Sequence, residues 1–245
     1  MTQETLLKSL MATSLGSRRQ LAYAIRNGRV RVNGETIEDF SYPIDLRKDI
    51  ILMDGKPVKP KPKPTIVLML NKPTGVLSTT RGDRGRKTVI DILPQKYRKI
   101  MLYPVGRLDK DTTGLLLLTN NGDLTYQLTH PKFEHEKEYL IRIDCKLSTD
   151  EKLNIEKGIC LDDGITYPAR IKEIRTYAPF NYSLTIHEGR KRQIHRMLAK
   201  LGYIVLSLRR IRIGKLRLGN LKEGHVRELS SKEIEKLIKT SNNTD

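Results

Sequence analysis

Proline recurs through residues 57–64 and divides the chain into two parts. The segment reads Pro-Val-Lys-Pro-Lys-Pro-Lys-Pro. Proline has no backbone N–H and biases the residue before it towards an extended conformation, so neither a helix nor a central strand is expected to run through this segment. We therefore predict a semi-rigid linker here, with a small domain at residues 1–56 and a larger domain at residues 65–245.

The small domain is predicted to contain two helices and a hairpin. Residues 4–13 and 17–27 repeat apolar side chains at helical spacing. Ser17 is placed to cap the second helix, and Gly28 is placed to end it. The chain then continues as a short strand into Asn33–Gly34, a pair that is typical of tight hairpin turns.

The larger domain mixes helical and strand patterns in irregular order. Because no regular strand–helix–strand repeat is present, the pattern predicts an α+β fold with a mixed, mostly antiparallel sheet. The leucines at 115–118 predict a strand that is buried on both faces. The other expected strands lie at residues 66–70, 139–143, 169–173, 183–187 and 226–229, and the expected helices lie near 123–130, 149–157, 190–201 and 231–239.

The charge of the chain predicts a polyanionic partner. It carries 46 lysines and arginines against 28 acids, a formal net charge of +18. Nucleic acid and anionic membrane are the two obvious partners for such an excess. No apolar run approaches the roughly 20 residues that cross a bilayer, and the bases lie in two structured blocks instead of one amphipathic helix. Nucleic acid is therefore favoured, and no membrane association is expected.

The two basic blocks are unusual in having almost no acids. Residues 5–34 contain six bases and no acid, and residues 186–218 contain ten bases and one acid. Solvated surfaces usually mix both signs, so such runs indicate surfaces that contact phosphates without reading sequence; an ordinary basic surface is the alternative. The bases are Lys8, Arg18, Arg19, Arg26, Arg29 and Arg31 in the first block, and Arg190, Lys191, Arg192, Arg196, Lys200, Arg209, Arg210, Arg212, Lys215 and Arg217 in the second.

The cysteines indicate neither a disulfide framework nor a metal site. Cys145 and Cys160 are the only two, and neither has histidine or cysteine partners at zinc-ligand spacing. We expect both to be small buried side chains in a reducing compartment. No structural metal is indicated, and the protein is expected to act in the cytoplasm.

The segment Gly106–Asp123 predicts a functional loop. It has glycine near both ends and leads into the buried leucine strand. Asp109 would lie beside the core between Arg107 and Lys110, an arrangement that keeps a partly desolvated carboxylate ionised and suits catalysis. Three other interpretations stay open: Asp109 caps the following turn, binds Mg²⁺ with Asp111, or belongs to a glycosidase acid–base pair.

The motifs of both domains resemble known families. Gly16–Arg19 and Ile25–Gly34 resemble the core motif of the S4 RNA-binding domain. Gly106–Gly122 resembles the signature of the RsuA class of ribosomal RNA pseudouridine synthases. Further motifs of that class follow in order along the chain, at Asn71–Val76, Gly85–Val89, Leu93–Pro94, Tyr103–Val105, Lys137–Tyr139 and Glu188–Ile194.

The resemblance implies that the chain isomerises uridine to pseudouridine in ribosomal RNA. By the resemblance, Asp109 is the nucleophile or base that releases the uracil, and Tyr139 packs on the flipped base and helps to remove its C5 proton. No cofactor is implied, because the product is an isomer of the substrate. Active-site support would come from Arg107, Thr112, Arg192, His195 and Arg196, and RNA contacts from Arg18, Arg19, Arg26, Arg29, Arg31, Lys72, Arg190 and Lys191.

Two positions depart from the resemblance. Residues 4–8 lack the Arg-Leu-Asp start that is usual in S4 domains. Where the synthase class has arginine or lysine paired with the catalytic aspartate, this chain has His195. The pairing cation would then be protonated His195, Arg192 or Arg196.

Two functions therefore stay open. One is a synthase, and residues 79–86 resemble the branch of the class that acts on large-subunit RNA. The other is a non-catalytic ribosome-assembly protein on the same fold. In both cases the partner is ribosomal RNA or an assembling ribosomal subunit, and the chain is expected to be a monomer.

Overall fold

The chain forms two compact units, residues 1–64 and residues 65–245. The computed structural model describes residues 4–13, 15–60, 64–82 and 85–239. Positions 61–63 of the expected linker lie outside the described residues.

The first unit combines two helices with small antiparallel sheets. In chain order its elements are β1 (Glu4–Thr5), α1 (Leu6–Met11), α2 (Arg18–Arg26), β2 (Val30–Val32), β3 (Glu35–Thr36), β4 (Pro43–Ile44), β5 (Ile51–Met53) and β6 (Lys56–Val58). One sheet has the strand order β3-β2-β5-β6, and β1 pairs with β4. Leu10, Ile25 and Val32 belong to the core that the helices and strands share.

Local sequence determines where α2 begins and ends, as predicted. The Ser17 hydroxyl accepts the backbone N–H of Gln20 at 3.3 Å, and the Gln20 side chain accepts the backbone N–H of Ser17 at 2.9 Å. Gly28 follows the helix with a φ of +66°, and Asn33 and Gly34 turn the chain with φ of +52° and +92°. Glycine and asparagine adopt this left-handed backbone more readily than other residues, which explains both the helix end and the hairpin.

The linker begins later than the proline pattern predicts. Pro57 and Val58 belong to β6, where they pair with Leu52 and Ile51 of β5. A proline cannot donate to a strand ladder, but β6 is the last strand of its sheet, and an edge strand tolerates the missing donor. The first two positions of the expected linker are therefore part of the sheet.

The second unit is built on one large sheet. In chain order its elements are β7 (Val67–Lys72), α3 (Gln95–Arg98), β8 (Tyr103–Val105), β9 (Thr113–Thr119), α4 (Gly122–Thr129), a 3₁₀ turn (Pro131–Phe133), β10 (Lys137–Ile143), α5 (Thr149–Lys157), β11 (Cys160–Leu161), β12 (Gly164–Ile165), β13 (Arg170–Glu173), β14 (Tyr182–Ile186), α6 (Gln193–Lys200), β15 (Val205–Ile213), β16 (Leu216–Arg217), β17 (Val226–Glu228) and α7 (Ser231–Lys239).

This sheet has nine strands in the order β13-β14-β10-β15-β9-β7-β17, with β16 paired to β15 and β8 paired to β9. Among the described strands, β9 and β15 run parallel and the other neighbours run antiparallel. The predicted α+β fold with a mixed, mostly antiparallel sheet is confirmed. The parallel pair matters most for function, because it places the start of β9 against the arginines of β15.

Helices cover both faces of the central strands. Leu116 and Leu118 of β9 pack in one apolar cluster, and Leu115 and Leu117 pack in another. The first cluster includes side chains from α3, α5 and α6, and the second includes side chains from α4 and α7. The prediction that this leucine strand is buried on both faces is therefore correct.

The prediction that both cysteines are buried is wrong. Cys145 and Cys160 are exposed free thiols. Cys160 shares the two-residue strand β11 with the buried Leu161, and neighbouring strand residues face opposite sides, so burial of one exposes the other. Within the described ranges, no helix is long and apolar enough to cross a membrane.

Candidate active site

The loop between β8 and β9, residues 106–112, contains Asp109 and is called the carboxylate loop. One buried lysine stabilises it. The Lys72 ammonium donates hydrogen bonds to the carbonyl oxygens of Pro73, Lys110 and Thr112 at 3.0, 3.1 and 2.9 Å. Burial lowers the pKa of Lys72 to about 8, and the negative charges of Asp111 and Asp109 act in the opposite direction.

The expectation that Lys72 contacts RNA does not hold. Its side chain is 0% exposed. Position 72 ends the buried strand β7, and this directs the long side chain beneath the neighbouring loop instead of into solvent. Lys72 supports the carboxylate loop from inside the protein.

Further hydrogen bonds hold the backbone on each side of Asp109. The Ser78 hydroxyl donates to the carbonyl O of Leu108 at 2.8 Å and accepts its N–H at 3.1 Å. The N–H of Gly75 donates to the carbonyl O of Lys110 at 2.9 Å. The N–H of Thr112 donates to the carbonyl O of Asp109 at 3.1 Å. The loop is thus a fixed structure, and its aspartate has a defined position.

Gly114 allows the loop to lie directly against β15. Gly114 and Arg210 are register partners in the parallel pair of β9 and β15. A Cβ atom at Gly114, whose φ is +100°, would lie only 2.2 Å from the carbonyl O of Arg210. Glycine is therefore required here for both its backbone angle and the close approach of the two strands.

A pocket of about 340 Å³ opens beside this loop. Pockets of roughly 300–1,000 Å³ are typical of small-ligand sites, so this one suits a small ligand. The pocket brings together residues from the loop, from β10, from β15 and from the start of α6. The predicted site residues that line it are Arg107, Asp109, Thr112, Tyr139, Arg190, Lys191, Arg192 and His195.

Tyr139 and Arg210 form the buried wall of the pocket. They are 8% and 3% exposed. Nη1 of Arg210 donates to the Tyr139 hydroxyl at 3.4 Å, and Nε donates to the carbonyl O of Leu115 at 2.8 Å. Nη2 of Arg210 is buried without a hydrogen-bond partner among the described residues. Buried donors are normally paired, so we expect an acceptor on a ligand to complete this site.

Lys137 adds a second cation to this wall. It lies two residues before Tyr139 on β10, and alternation along a strand therefore places both side chains on the same face. Its ammonium donates to the carbonyl oxygens of His135 and His187 at 3.1 and 3.3 Å. Burial, followed by the charge of Arg210, lowers the pKa of Lys137 to about 8.

His195 lines the pocket as a mainly neutral side chain. Burial and the charge of Arg192 lower the pKa of His195 from 6.5, although Asp109 and Asp111 favour its protonation. Burial and the charge of Arg192 therefore disfavour protonated His195 as the partner of Asp109 at neutral pH. Arg192, which is permanently charged and lines the same pocket, is the better candidate of the three.

Arg196 and Arg190 are engaged elsewhere. Nη1 and Nη2 of Arg196 donate to the two carboxylate oxygens of Asp163, both at 2.9 Å, so the expected role of Arg196 beside Asp109 does not hold. Arg190 binds Glu188 at 2.8 Å and the carbonyl O of Gly164 at 2.9 Å. Arg190 therefore ties the pocket rim to β12, and little of its guanidinium is left for RNA.

The arginines of the first unit differ in their availability. Arg18, Arg19, Arg26 and Arg31 are exposed. Arg29 is also exposed, but Nε and Nη2 bind the two carboxylate oxygens of Asp54 at 2.7 and 2.6 Å. The predicted phosphate contacts of this unit therefore rest mainly on the other four.

Lys137 and Arg210 line the pocket but were not assigned to the active site from the sequence. Lys137 appeared only as part of the motif Lys137–Tyr139. Arg210 belonged to the second basic block, and nothing in that block distinguishes a buried arginine from the exposed ones. Among the residues that the structure describes, no group of three or more His, Cys, Asp or Glu side chains could hold a metal ion, so a Mg²⁺ site at Asp109 and Asp111 has no further carboxylate to complete it.

Comparison with known proteins assigns the family. The profile of the RNA pseudouridylate synthases matches residues 66–200. The chain belongs to this family. The S4 domain profile matches residues 6–51 of the same synthase. The predicted resemblance to both families is confirmed, and the enzyme is favoured over the non-catalytic scaffold.

Individual relatives cover nearly the whole synthase. It is 38% identical over 235 residues to an uncharacterized RNA pseudouridine synthase of Aquifex aeolicus, covering 95% of this chain and 92% of that one. It is 37% identical over 213 residues to ribosomal large subunit pseudouridine synthase B of Bacillus subtilis, covering 84% of each. A crystal structure of a pseudouridylate synthase is 34% identical, with a TM-score of 0.67, and the match covers 95% of this chain and 99% of that chain.

Proposed function

We propose that this pseudouridine synthase modifies specific uridines in large-subunit ribosomal RNA, with Asp109 as the residue that starts the reaction. The observation that carries the proposal is the placement of Asp109, Tyr139 and Arg210 around one small pocket. A carboxylate on a fixed loop, an aromatic ring and a buried donor are together suited to hold and cleave a single nucleoside.

The reaction exchanges one bond to the ribose for another. The N1–C1′ bond of the uridine breaks, with the Asp109 carboxylate acting as the nucleophile or base that initiates the cleavage. The freed uracil rotates and forms a C5–C1′ bond. The proton on C5 is then lost while N1 gains one, so the product contains the same atoms as the substrate and needs no co-reactant.

The buried wall would stabilise the uracil during this exchange. Negative charge collects on the base when the N1–C1′ bond breaks. The buried Nη2 of Arg210 has no acceptor within the part of the chain that the structure describes, and we expect it to donate to a uracil carbonyl oxygen. The Tyr139 ring would pack against the base, and the ammonium of Lys137 would contribute further positive charge.

The target uridine must leave its stack to reach Asp109. Flipping a nucleotide costs a few kcal/mol, which contacts in the pocket and on its flanks must offset. Lys191 is exposed at the pocket rim, where it would hold a phosphate beside the flipped nucleotide. The exposed arginines of the S4 unit would add further backbone contacts.

The choice of large-subunit RNA rests on the relative from Bacillus subtilis, whose name gives that substrate. We further propose that the protein acts in the cytoplasm, as a monomer, on ribosomal RNA or an assembling subunit.

Mapping pseudouridines in ribosomal RNA tests this proposal. We expect cells without the protein to lack pseudouridine at one or a few large-subunit positions. Wild-type protein should restore them, and Asp109→Asn should not. An unchanged map in the deletion strain, or a loss confined to small-subunit RNA, would refute the substrate assignment.

A further inference from the structure

The sheet of the synthase unit carries a second groove, which we call the basic groove. It has a volume of about 650 Å³. The side chains around it are charged or small, and most are basic. They are Glu138, Arg170, Lys172, Ser183, Thr185, Arg212, Gly214, Lys215 and Arg217.

The basic groove and the active-site pocket lie on opposite faces of the sheet. Glu138 lines the groove, whereas Tyr139 lines the active-site pocket. Likewise, Thr185 lines the groove and its neighbour Ile186 lines the active-site pocket. Because successive side chains of a strand face opposite sides, the groove is a separate site and not an extension of the pocket.

A row of register partners runs along the floor of the groove. Each residue in the row pairs with the next across neighbouring strands, in the order Arg170, Thr185, Glu138, Arg212 and Arg217. These five residues belong to five adjacent strands, β13, β14, β10, β15 and β16. With neighbouring strands about 4.8 Å apart, the row extends for about 19 Å across the sheet. This is an elongated track, in contrast to the compact pocket.

A β-bulge places Arg212 in this row. Glu138 pairs with Arg212 while the next residue, Tyr139, pairs with Arg210, so β15 contains one extra residue at this point. Without the bulge, Arg210 and Arg212 would face the same side. With it, Arg210 faces the active site and Arg212 faces the basic groove. Bulges commonly redirect a side chain in this way.

The groove has a surplus of positive charge. Among the described residues, the arginines among its five bases form ion pairs with two carboxylates, Glu138 and Glu136. Arg212 binds Glu138 at 2.7 Å and Glu136 at 3.1 Å, Arg217 lies 3.9 Å from Glu138, and Arg170 also binds Glu136. Lys172 and Lys215 are exposed, and neither forms an ion pair within the described ranges. None of the described residues that line the groove is aromatic or large and apolar, so they offer nothing on which a nucleobase would stack.

From this geometry we infer that the basic groove binds the phosphate backbone of the RNA substrate, on the sheet face opposite the flipped uridine. The inference rests on the proposed function, because the occupant is that enzyme's own substrate. The length of the track, its net positive charge and the hydroxyl of Thr185 fit a run of phosphates. Binding here adds affinity that depends on salt and not on sequence.

The test removes the two lysines that lack ion pairs, in Lys172→Gln/Lys215→Gln, with Lys99→Gln/Lys157→Gln as the matched control. The control lysines are also exposed on this unit and lie outside the groove. Affinity of the full chain is measured against salt concentration for a large-subunit RNA fragment and for oligoadenylate, which contains no uridine. Circular dichroism and thermal unfolding establish that both variants fold.

If each groove lysine neutralises one phosphate, the slope of log affinity against log salt falls by about 1.4, since each contact contributes about 0.7 on single-stranded RNA. At about 0.1 M salt this corresponds to roughly 25-fold weaker binding, equal for both RNAs. The KM of the reaction rises with kcat unchanged. The control changes the affinity less than about twofold, and the charge reversal Lys172→Glu/Lys215→Glu weakens binding further.

Affinity and slope equal to those of the control would overturn the inference and leave the groove to another occupant, such as an acidic protein. Loss confined to the ribosomal fragment would also overturn it, because phosphates are common to both RNAs. Binding to oligoadenylate does not require isomerisation. A wild-type protein that forms no pseudouridine would therefore refute the proposed function without affecting this measurement.

Discussion

Gly114→Ala tests whether the close approach of β9 and β15 positions the active site. Two costs arise from the added Cβ. A non-glycine residue at a φ of +100° is strained by about 1–3 kcal/mol. The Cβ would also lie 2.2 Å from the carbonyl O of Arg210, whereas ordinary contacts begin at 3.4 Å, so the strands must separate by about 1 Å.

That separation breaks the bond from Nε of Arg210 to the carbonyl O of Leu115, which is 2.8 Å long. Hydrogen bonds from charged donors contribute about 1.5–3 kcal/mol. We therefore expect Gly114→Ala to lower the free energy of unfolding by about 2.5–6 kcal/mol. A shift of about 1 Å in Arg210 relative to Asp109 should lower kcat about 100-fold.

Gly202→Ala separates the two costs. Gly202 has a φ of +86° but no atom within 4 Å of an added Cβ, so this variant carries only the backbone strain of about 1–3 kcal/mol. Urea unfolding and pseudouridine formation are measured for both variants. Equal loss of stability in the two, or normal kcat in Gly114→Ala, would refute the claim that this contact sets the geometry of the site.

Three further predictions follow from the site and the S4 unit. Lys72→Met removes three hydrogen bonds beneath the carboxylate loop and should lower kcat with little change in KM. An unchanged kcat would contradict the claim that Lys72 holds this loop in place. Burial places the pKa of Lys72 and of Lys137 at about 8, so both lose their proton as the pH rises through 8, and kcat should fall over the same range. A kcat that stays constant up to about pH 10 would contradict this. Arg18→Gln/Arg26→Gln should weaken binding of different RNAs by one common factor in filter-binding assays, with kcat unchanged, whereas a sequence-selective loss would contradict backbone contact.

Stability should also decrease in mild acid. Burial lowers the pKa of His135 and of His195 from 6.5, so below that pH the unfolded chain takes up protons that the folded chain does not. By linkage, the free energy of unfolding falls as the pH falls through 6.5, by at most about 1.4 kcal/mol per pH unit for each histidine. Urea unfolding at about pH 7.5 and about pH 5.5 measures the effect, and equal stability at both would contradict it.

Much of the fold was predictable because local signals and burial agreed. Ser17 is followed by a capping partner at Gln20, and the Asn33–Gly34 pair suits its hairpin. The leucines of β9 needed burial on both faces, which placed them in the centre of a sheet. The strand β15 was missed because its arginines obscure the alternation, and Arg210 is buried in spite of its charge.

Long-range placement was not predictable from the sequence. The family resemblance implied that Lys72 contacts RNA. Its burial depends on the carbonyl groups of Lys110 and Thr112, which are distant in the chain. The division of Arg210 and Arg212 between two faces likewise depends on a bulge that only strand pairing reveals.

Release of the C5 hydrogen is the most direct measure of the central claim that Asp109 starts the reaction. Large-subunit ribosomal RNA labelled with tritium at C5 of uridine is incubated with wild type, Asp109→Asn or Asp111→Asn. Asp111 is exposed and does not line the described pocket, so its variant is a matched loss of charge on the same loop. We predict no tritium release with Asp109→Asn and release within about tenfold of wild type with Asp111→Asn. Release with Asp109→Asn, or its loss only with Asp111→Asn, would contradict the account.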